Sequence, residues 1–189
     1  MKYDTSRKEY KREYCLVQFA AGAGPVQFGR AESNGEAGMS EEKKIKIMEA
    51  LENGIPFVQR SGIKVLELER GYCKLMMPYE PNINHVGMMY AGALFTLAEI
   101  PGGAIFVSTF DNAKFFPIVR NLEIKFVKPA MTDITVEVRL SEEDAAEIAA
   151  RAEADGKANC EWDCELKNAD GEVVSVATCK YQMRVFAKK

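Results

Sequence analysis

The sequence predicts an α+β fold in which a curved antiparallel β-sheet wraps around one long central helix. Residues 88–109 form a nearly uncharged run whose only ionisable side chains are Tyr90 and Glu99, and a helix that is apolar all round is buried on most of its surface. Four later segments alternate apolar and polar residues with period two, the mark of an antiparallel sheet with one wet face. One apolar helix and one sheet with a single apolar face satisfy each other when the sheet curls around the helix.

Residues 1–38 stand apart from this plan. A charged run, Lys2 to Tyr14, precedes a Gly/Ala-rich stretch, Cys15 to Gly38, with no period, and the segment is expected to be a poorly ordered N-terminal extension. Its short apolar patch and its acidic residues Asp4, Glu9 and Glu13 suit neither a secretory nor an organellar presequence. Ser40 as N-cap with Glu41 and Glu42 behind it opens an amphipathic helix to about Asn53, so the folded domain is expected over residues 39–189. Gly62 to Leu68 and Tyr72 to Pro78, separated by Glu69-Arg70-Gly71, read as a hairpin. Asn82 to Gly87 is a polar loop, and the long helix follows from Met88 to about Thr109.

Four strands complete the sheet. The first, Ile118 to Lys128, carries Ile118, Leu122, Ile124 and Phe126 on one face. The second repeats Ile134, Val136, Val138 and Leu140, and the third Ala158, Cys160, Trp162, Cys164 and Leu166. The fourth runs from Val173 to Val185 after Asp170-Gly171, a type I′ hairpin signal. Between the second and third, Glu142 to Asp155 is Ala-rich and reads as a surface helix ended by Gly156.

Composition narrows the function. With 25 Lys and Arg against 28 Asp and Glu the formal charge is −3, which leaves no basic footprint for nucleic acid. No stretch reaches the roughly 18 consecutive apolar residues of a spanning helix, so no membrane role is expected. Five cysteines make an odd count and read as reduced thiols of a cytoplasmic protein. The single histidine, His85, severely limits His-based metal sites and Ser-His-Asp chemistry; no metal and no cofactor are expected.

The chemistry concentrates in residues 84–103. Glu99 is a carboxylate amid Leu97, Ala98, Ile100 and Pro101, where an unpaired charge is costly and requires a partner or a function. Pro101 cannot donate to the carbonyl four residues back, which loosens the helix there, and Gly102 and Gly103 let another backbone approach.

Asn84, Gly87, Gly92 and Glu99 fall on the pattern Asn-x-x-Gly-x-x-His-Gly-Gly followed seven residues on by Asp or Glu, and Phe126-Val127-Lys128-Pro129-Ala130 on Phe-x-x-Pro-Ala. On these residues the chain, from about Met39 to Lys189, resembles the hotdog-fold thioesterases related to the phenylacetyl-CoA (PaaI-like) type. It is similar in particular to an uncharacterised branch in which Asn-His-x-Gly-x-x-Tyr-Ala-Gly-Ala-Leu-Phe-Thr-Leu-Ala-Glu is typical. Where the phenylacetyl-CoA-type pattern has His and Gly, and often a hydroxyl residue one turn after the carboxylate, this chain has Tyr90, Ala91 and Gly103.

The resemblance implies hydrolysis of an acyl-CoA thioester to a carboxylic acid and coenzyme A, the latter being part of the substrate. The Gly92 N–H would be the oxyanion donor at the helix start, Glu99 the nucleophile or general base, and Asn84 would orient the water or the carbonyl. Tyr90 can donate a hydrogen bond to the thioester carbonyl but, with an ordinary pKa of ~10, is no base at neutral pH. Gly87, Met88, Met89, Ala91, Gly103 and Lys128 are expected to border the substrate. Residues 92 and 99 stand ~10 Å apart along a helix, so one carbonyl meets both only across two chains or through a strong bend; the resemblance implies the former, a homodimer or a dimer of dimers.

Plainer readings stand beside these. Glu99 as a structural carboxylate, His85 as a hydrogen-bonded loop residue, Cys160 and Cys164 as core, Arg120 and Lys128 as solvated cations, and Met76, Met77, Met88 and Met89 as core filler each account for the same residues. The alternative at the level of the whole protein is a non-catalytic hotdog module that binds an acyl-CoA or acyl-carrier-protein thioester. A hydratase of the same fold is disfavoured, because those enzymes rely on a His base paired with Asp or Glu and no such pair is located in this sequence.

Overall fold

Helix α1 (Glu41–Asn53) begins where its capping residues stand: Ser40 Oγ accepts the Lys43 N–H, Glu41 and Glu42 occupy the first turn, and Ile47 and Leu51 turn inward. It is the first element of a computed structural model that describes residues 39–186. The extension expected over residues 1–38 lies outside the described residues.

A short helix α2 (Pro56–Ser61) follows, which sequence periodicity does not reveal because six residues are too few to show it. Pro56 starts it and Gly62, at φ 72°, ends it. Strands β1 (Lys64–Glu69) and β2 (Tyr72–Met77) form the expected hairpin, and a single 3₁₀ turn, Glu80–Asn82, leads towards the central helix α3 (Ala91–Thr109). The helix starts at Ala91 rather than Met88 because Met89 is held in extended backbone, bridged to Ile83 and donating its N–H to the Ala130 carbonyl at 2.8 Å. Then come β3 (Phe115–Phe126), β4 (Ile134–Arg139), α4 (Glu142–Asp155), β5 (Lys157–Lys167) and β6 (Val173–Val185).

The six strands make one antiparallel sheet in the order β1-β2-β4-β5-β6-β3. Helix α3 touches every strand of it, as one apolar helix inside one curved sheet requires. Leu97, Ala104 and Ile105 of the helix and Leu75, Val136, Leu166, Ala177 and Cys179 of the sheet are fully buried in a common core. This is the hotdog fold.

Two local expectations are corrected. Arg120 is an extra residue in β3, since Val119 pairs with Tyr181 and Asn121 already with Lys180. This bulge reverses the alternation, so Val119 and Leu122 share the inner face whereas Ile118, opposite Gln182, points outward. The β5–β6 turn is not a two-residue Asp170-Gly171 loop. Gly171 N–H donates to the Asn168 carbonyl at 3.0 Å, placing Ala169 and Asp170 at the centre and Gly171 after them at φ 80°, while Asn168 Oδ1 accepts the N–H groups of Asp170 and Glu172.

Helix α3 is also long and apolar enough to cross a membrane by length and composition alone. Thr96, Glu99 and the glycines break the run of consecutive apolar residues, but its average hydropathy stays high in spite of them. In this fold the helix is largely buried by its own sheet.

Candidate active site

The approach to α3 is shaped by asparagines. Asn84 Oδ1 accepts the N–H groups of Val86 (3.0 Å) and Met88 (3.1 Å), and the Asn84 N–H donates to the Met88 carbonyl. Gly87, at φ 80°, closes this loop with its N–H on the Asn84 carbonyl, and Tyr79 Oη donates to the Gly87 carbonyl. Asn82, which no sequence motif marks, donates through Nδ2 to the carbonyls of Ser61 and Pro78, both at 2.8 Å, and its own carbonyl accepts the Tyr90 N–H. Asn84 therefore has its side-chain oxygen occupied by the loop and only its Nδ2 hydrogens available.

Tyr90 is the N-cap of α3, extended at φ −60° and ψ 132°, with no side-chain cap bond. Tyr90 is 59% exposed, and its ring folds back over Gly92. Ala91 is exposed, Met88 is half-buried and Met89 is fully in the core. Met77 is likewise core.

Only one stripe of α3 is left uncovered by the sheet: Ala91 and Gly92, Phe95, Glu99, Gly103 and Val107, each four residues or one turn beyond the last. Glu99 sits at its centre, half-buried. Among the described residues no hydrogen bond or ion pair reaches its carboxylate, and burial holds its pKa above the ordinary carboxylate value. One turn beyond, Gly103 faces open space, with no atom within 4 Å of where a Cβ would stand. At Gly102 the close neighbour is the ring of Tyr181 rather than another backbone. Phe95, one turn before Glu99 and 43% exposed, is a stripe residue that only the helical phase, once known, identifies.

Strand β3, an edge of the sheet that α3 also touches, has an inner face, Val119, Leu122, Ile124 and Phe126, that is likewise incompletely covered. Lys128 lies past the end of β3 and pairs with Glu172 at 2.8 Å. His85 is exposed in the loop. Among the described residues no group of three or more His, Cys, Asp or Glu side chains could hold a metal.

The family described as Domain of unknown function (DUF4442) matches residues 44–185. The chain belongs to this family. A DUF4442-sized domain thus coincides with the sheet and its helix. A solved structure from Pseudomonas aeruginosa, described as a protein of unknown function and "Probable Thioesterase", is 45% identical, covers 76% of this chain and 96% of its own, and superposes with a TM-score of 0.74. A second P. aeruginosa structure, a mutant thioesterase, is 17% identical over 74% of this chain and 94% of its own, with a TM-score of 0.56. The Escherichia coli PaaI protein from the phenylacetic acid degradation operon is 14% identical over 78% and 96%, with a TM-score of 0.55. The last two share the fold alone with this DUF4442 protein. No curated protein matches it.

Proposed function

We propose that this DUF4442 protein is an acyl-CoA thioesterase that works as a homodimer. The observation that carries the reading is the placement of Glu99: a half-buried carboxylate, without a partner among the described residues, in the middle of the one open stripe of an otherwise buried helix. A carboxylate kept there without a cation is costly to the fold, and such positions cluster where chemistry is done. The 45% identical relative described as a probable thioesterase supports the same class.

In this reading a second copy docks on the apolar stripe and the free edge of β3, bringing its own helix start opposite Glu99. The Gly92 N–H of one protomer then donates to the developing oxyanion while Glu99 of the other, ionised, attacks the thioester carbonyl or takes a proton from the attacking water. The Asn84 Nδ2 hydrogens orient the water or the carbonyl, and the Tyr90 hydroxyl donates to the thioester carbonyl. Met88, Gly87, Ala91 and Gly103 border the acyl group, and Lys128 meets coenzyme A after exchanging its Glu172 partner. Residues 39–189 form the working domain, in a cytoplasmic protein.

The test is release of free thiol from a panel of acyl-CoAs by wild type and Glu99→Gln. Turnover abolished by Glu99→Gln supports the mechanism; turnover that Glu99→Gln leaves unchanged overturns it. A second reading, a non-catalytic module for acyl thioesters, is favoured by the Tyr90 ring lying over Gly92, and predicts binding with no turnover by wild type.

A further inference from the structure

Three side chains of the sheet donate to helix carbonyls within a single turn of α3. Cys179 Sγ reaches the Ala98 carbonyl at 3.4 Å, Tyr181 Oη the Glu99 carbonyl at 2.9 Å, and Cys73 Sγ the Pro101 carbonyl at 3.9 Å. This is the turn that Pro101 weakens by supplying no N–H to the Leu97 carbonyl. The phenol is the strongest donor of the three, since thiols donate weakly.

The seat of Tyr181 is built for it. A Cβ on Gly102 would stand 2.1 Å from Tyr181 Cζ and 2.3 Å from its Oη, so any side chain at 102 expels the ring. On its other side the ring stacks on Trp162 with centroids 4.6 Å apart and planes at 22°, and Phe106 packs at 6.1 Å. Tyr181 is 2% exposed. A buried phenol seeks a hydrogen-bond partner, but a partner on the backbone of the one carboxylate-bearing residue of α3 has a consequence for that carboxylate.

We propose that Tyr181 is the positioning residue for Glu99: lodged in the slot left by Gly102, it fixes the helix turn from which the carboxylate projects onto the open stripe. The inference rests on the catalytic reading of Glu99. The titratable groups that sense the charge of Glu99 are Tyr181 and Cys179, both from β6. Burial pushes the Tyr181 phenol well above its ordinary range, so it remains a neutral donor. Removing the bond frees the turn, lets the carboxylate swing towards water and moves it out of reaction geometry.

The experiment compares wild type, Tyr181→Phe and Glu99→Gln in acyl-CoA hydrolysis, with the α4 core variant Ile148→Val as a control for mere destabilisation. Tyr181→Phe is expected to lower kcat by roughly 10- to 100-fold with KM unchanged, the scale of a small misplacement of a reacting group, and to move the acid limb of the pH–rate profile to lower pH; Ile148→Val changes the melting temperature alone. Wild-type kcat and an unmoved acid limb in Tyr181→Phe, beside an inactive Glu99→Gln, overturn the proposal while sparing the catalytic reading. An active Glu99→Gln defeats the catalytic reading instead. Positioning is then judged by ¹³C titration of the Glu99 carboxyl, where an unchanged midpoint in Tyr181→Phe overturns it. Should Tyr181→Phe not fold, Gly102→Ala, which displaces the same ring, is read in the same assays against the same outcomes.

Discussion

The ring of Tyr90 lies directly over Gly92: a methyl group placed on Gly92 would stand 2.3 Å from Tyr90 Cε1. The obstacle is an exposed side chain, so Gly92→Ala is expected to swing Tyr90 aside at little cost in stability. In hydrolysis the same methyl blocks the approach of a carbonyl to the helix-start amide, and loss of one such donor costs about 10²- to 10³-fold in kcat. Tyr90→Phe keeps the ring and removes the hydroxyl. Equal loss in Tyr90→Phe and Tyr90→Ala would assign the effect to the hydroxyl, and a larger effect in Tyr90→Ala to the ring.

Burial raises the pKa of Glu99, and the sign of its linkage follows. A carboxyl with a higher pKa in the folded state than in the unfolded state favours folding while protonated, below its unfolded pKa, and this contribution is lost as pH rises through the folded value. Glu99→Gln is therefore expected to melt above wild type at pH 7, with the difference shrinking as the pH falls into the carboxylate range. Thermal melts across that range test it; a Glu99→Gln that melts below wild type at pH 7 shows that the carboxylate has found a partner.

At the far end of α3, Thr109 Oγ1 accepts the buried Gly71 N–H at 3.0 Å, Arg70 donates to the Thr109 carbonyl, and Gly71 sits at φ 70° with room for no Cβ, the Leu140 carbonyl oxygen being 2.4 Å from it. The β1–β2 turn thereby anchors the helix that carries Glu99. Thr109→Val leaves the amide unpaired and is expected to cost about 1–3 kcal/mol in urea unfolding. Gly71→Ala costs at least as much, since strained backbone alone is worth about 1–3 kcal/mol and the Leu140 carbonyl must also shift.

The family match begins at residue 44, and Ser40 supplies the cap of α1. A chain starting at Met39 is expected to unfold in one cooperative transition at the melting temperature of the full chain. A broad or lowered transition would give residues 1–38 a part in the fold.

The helix inside its sheet was legible because both signals are long: about twenty apolar residues around one Glu, and strands alternating with period two. What was missed is short or depends on register. The bulge at Arg120 turns Ile118 outward, yet a single extra residue leaves the alternation looking intact when every second residue is read. Glu99 was legible as the odd charge in an apolar run, whereas its open stripe with Phe95 and Gly103 required the phase of the helix against the sheet. Tyr181 could be read only as a core aromatic; its hydroxyl calls for a partner, but that the partner is the Glu99 carbonyl follows from a contact 82 residues apart in sequence.

The cysteines give the last expectation its basis. Cys73, Cys160, Cys164 and Cys179 are all unpaired and buried. Burial pushes the thiols of Cys73 and Cys160 up to about 12, and a hydrogen bond with Cys179, then burial, pushes Cys164 up further. Reactivity follows the thiolate and its access to reagent: at Cys73, Cys160 and Cys164 both are suppressed, whereas the hydrogen bond with Cys164 lowers the Cys179 thiol and burial alone keeps the reagent from it. A Cys15→Ser chain is accordingly expected to show no thiol reacting with Ellman's reagent while native and all four reacting once unfolded in guanidinium. Rapid labelling of Cys179 in the native protein would mean that the turn bearing Glu99 opens, since the Cys179 thiol is held against the Ala98 carbonyl at 3.4 Å and cannot meet the reagent without leaving it.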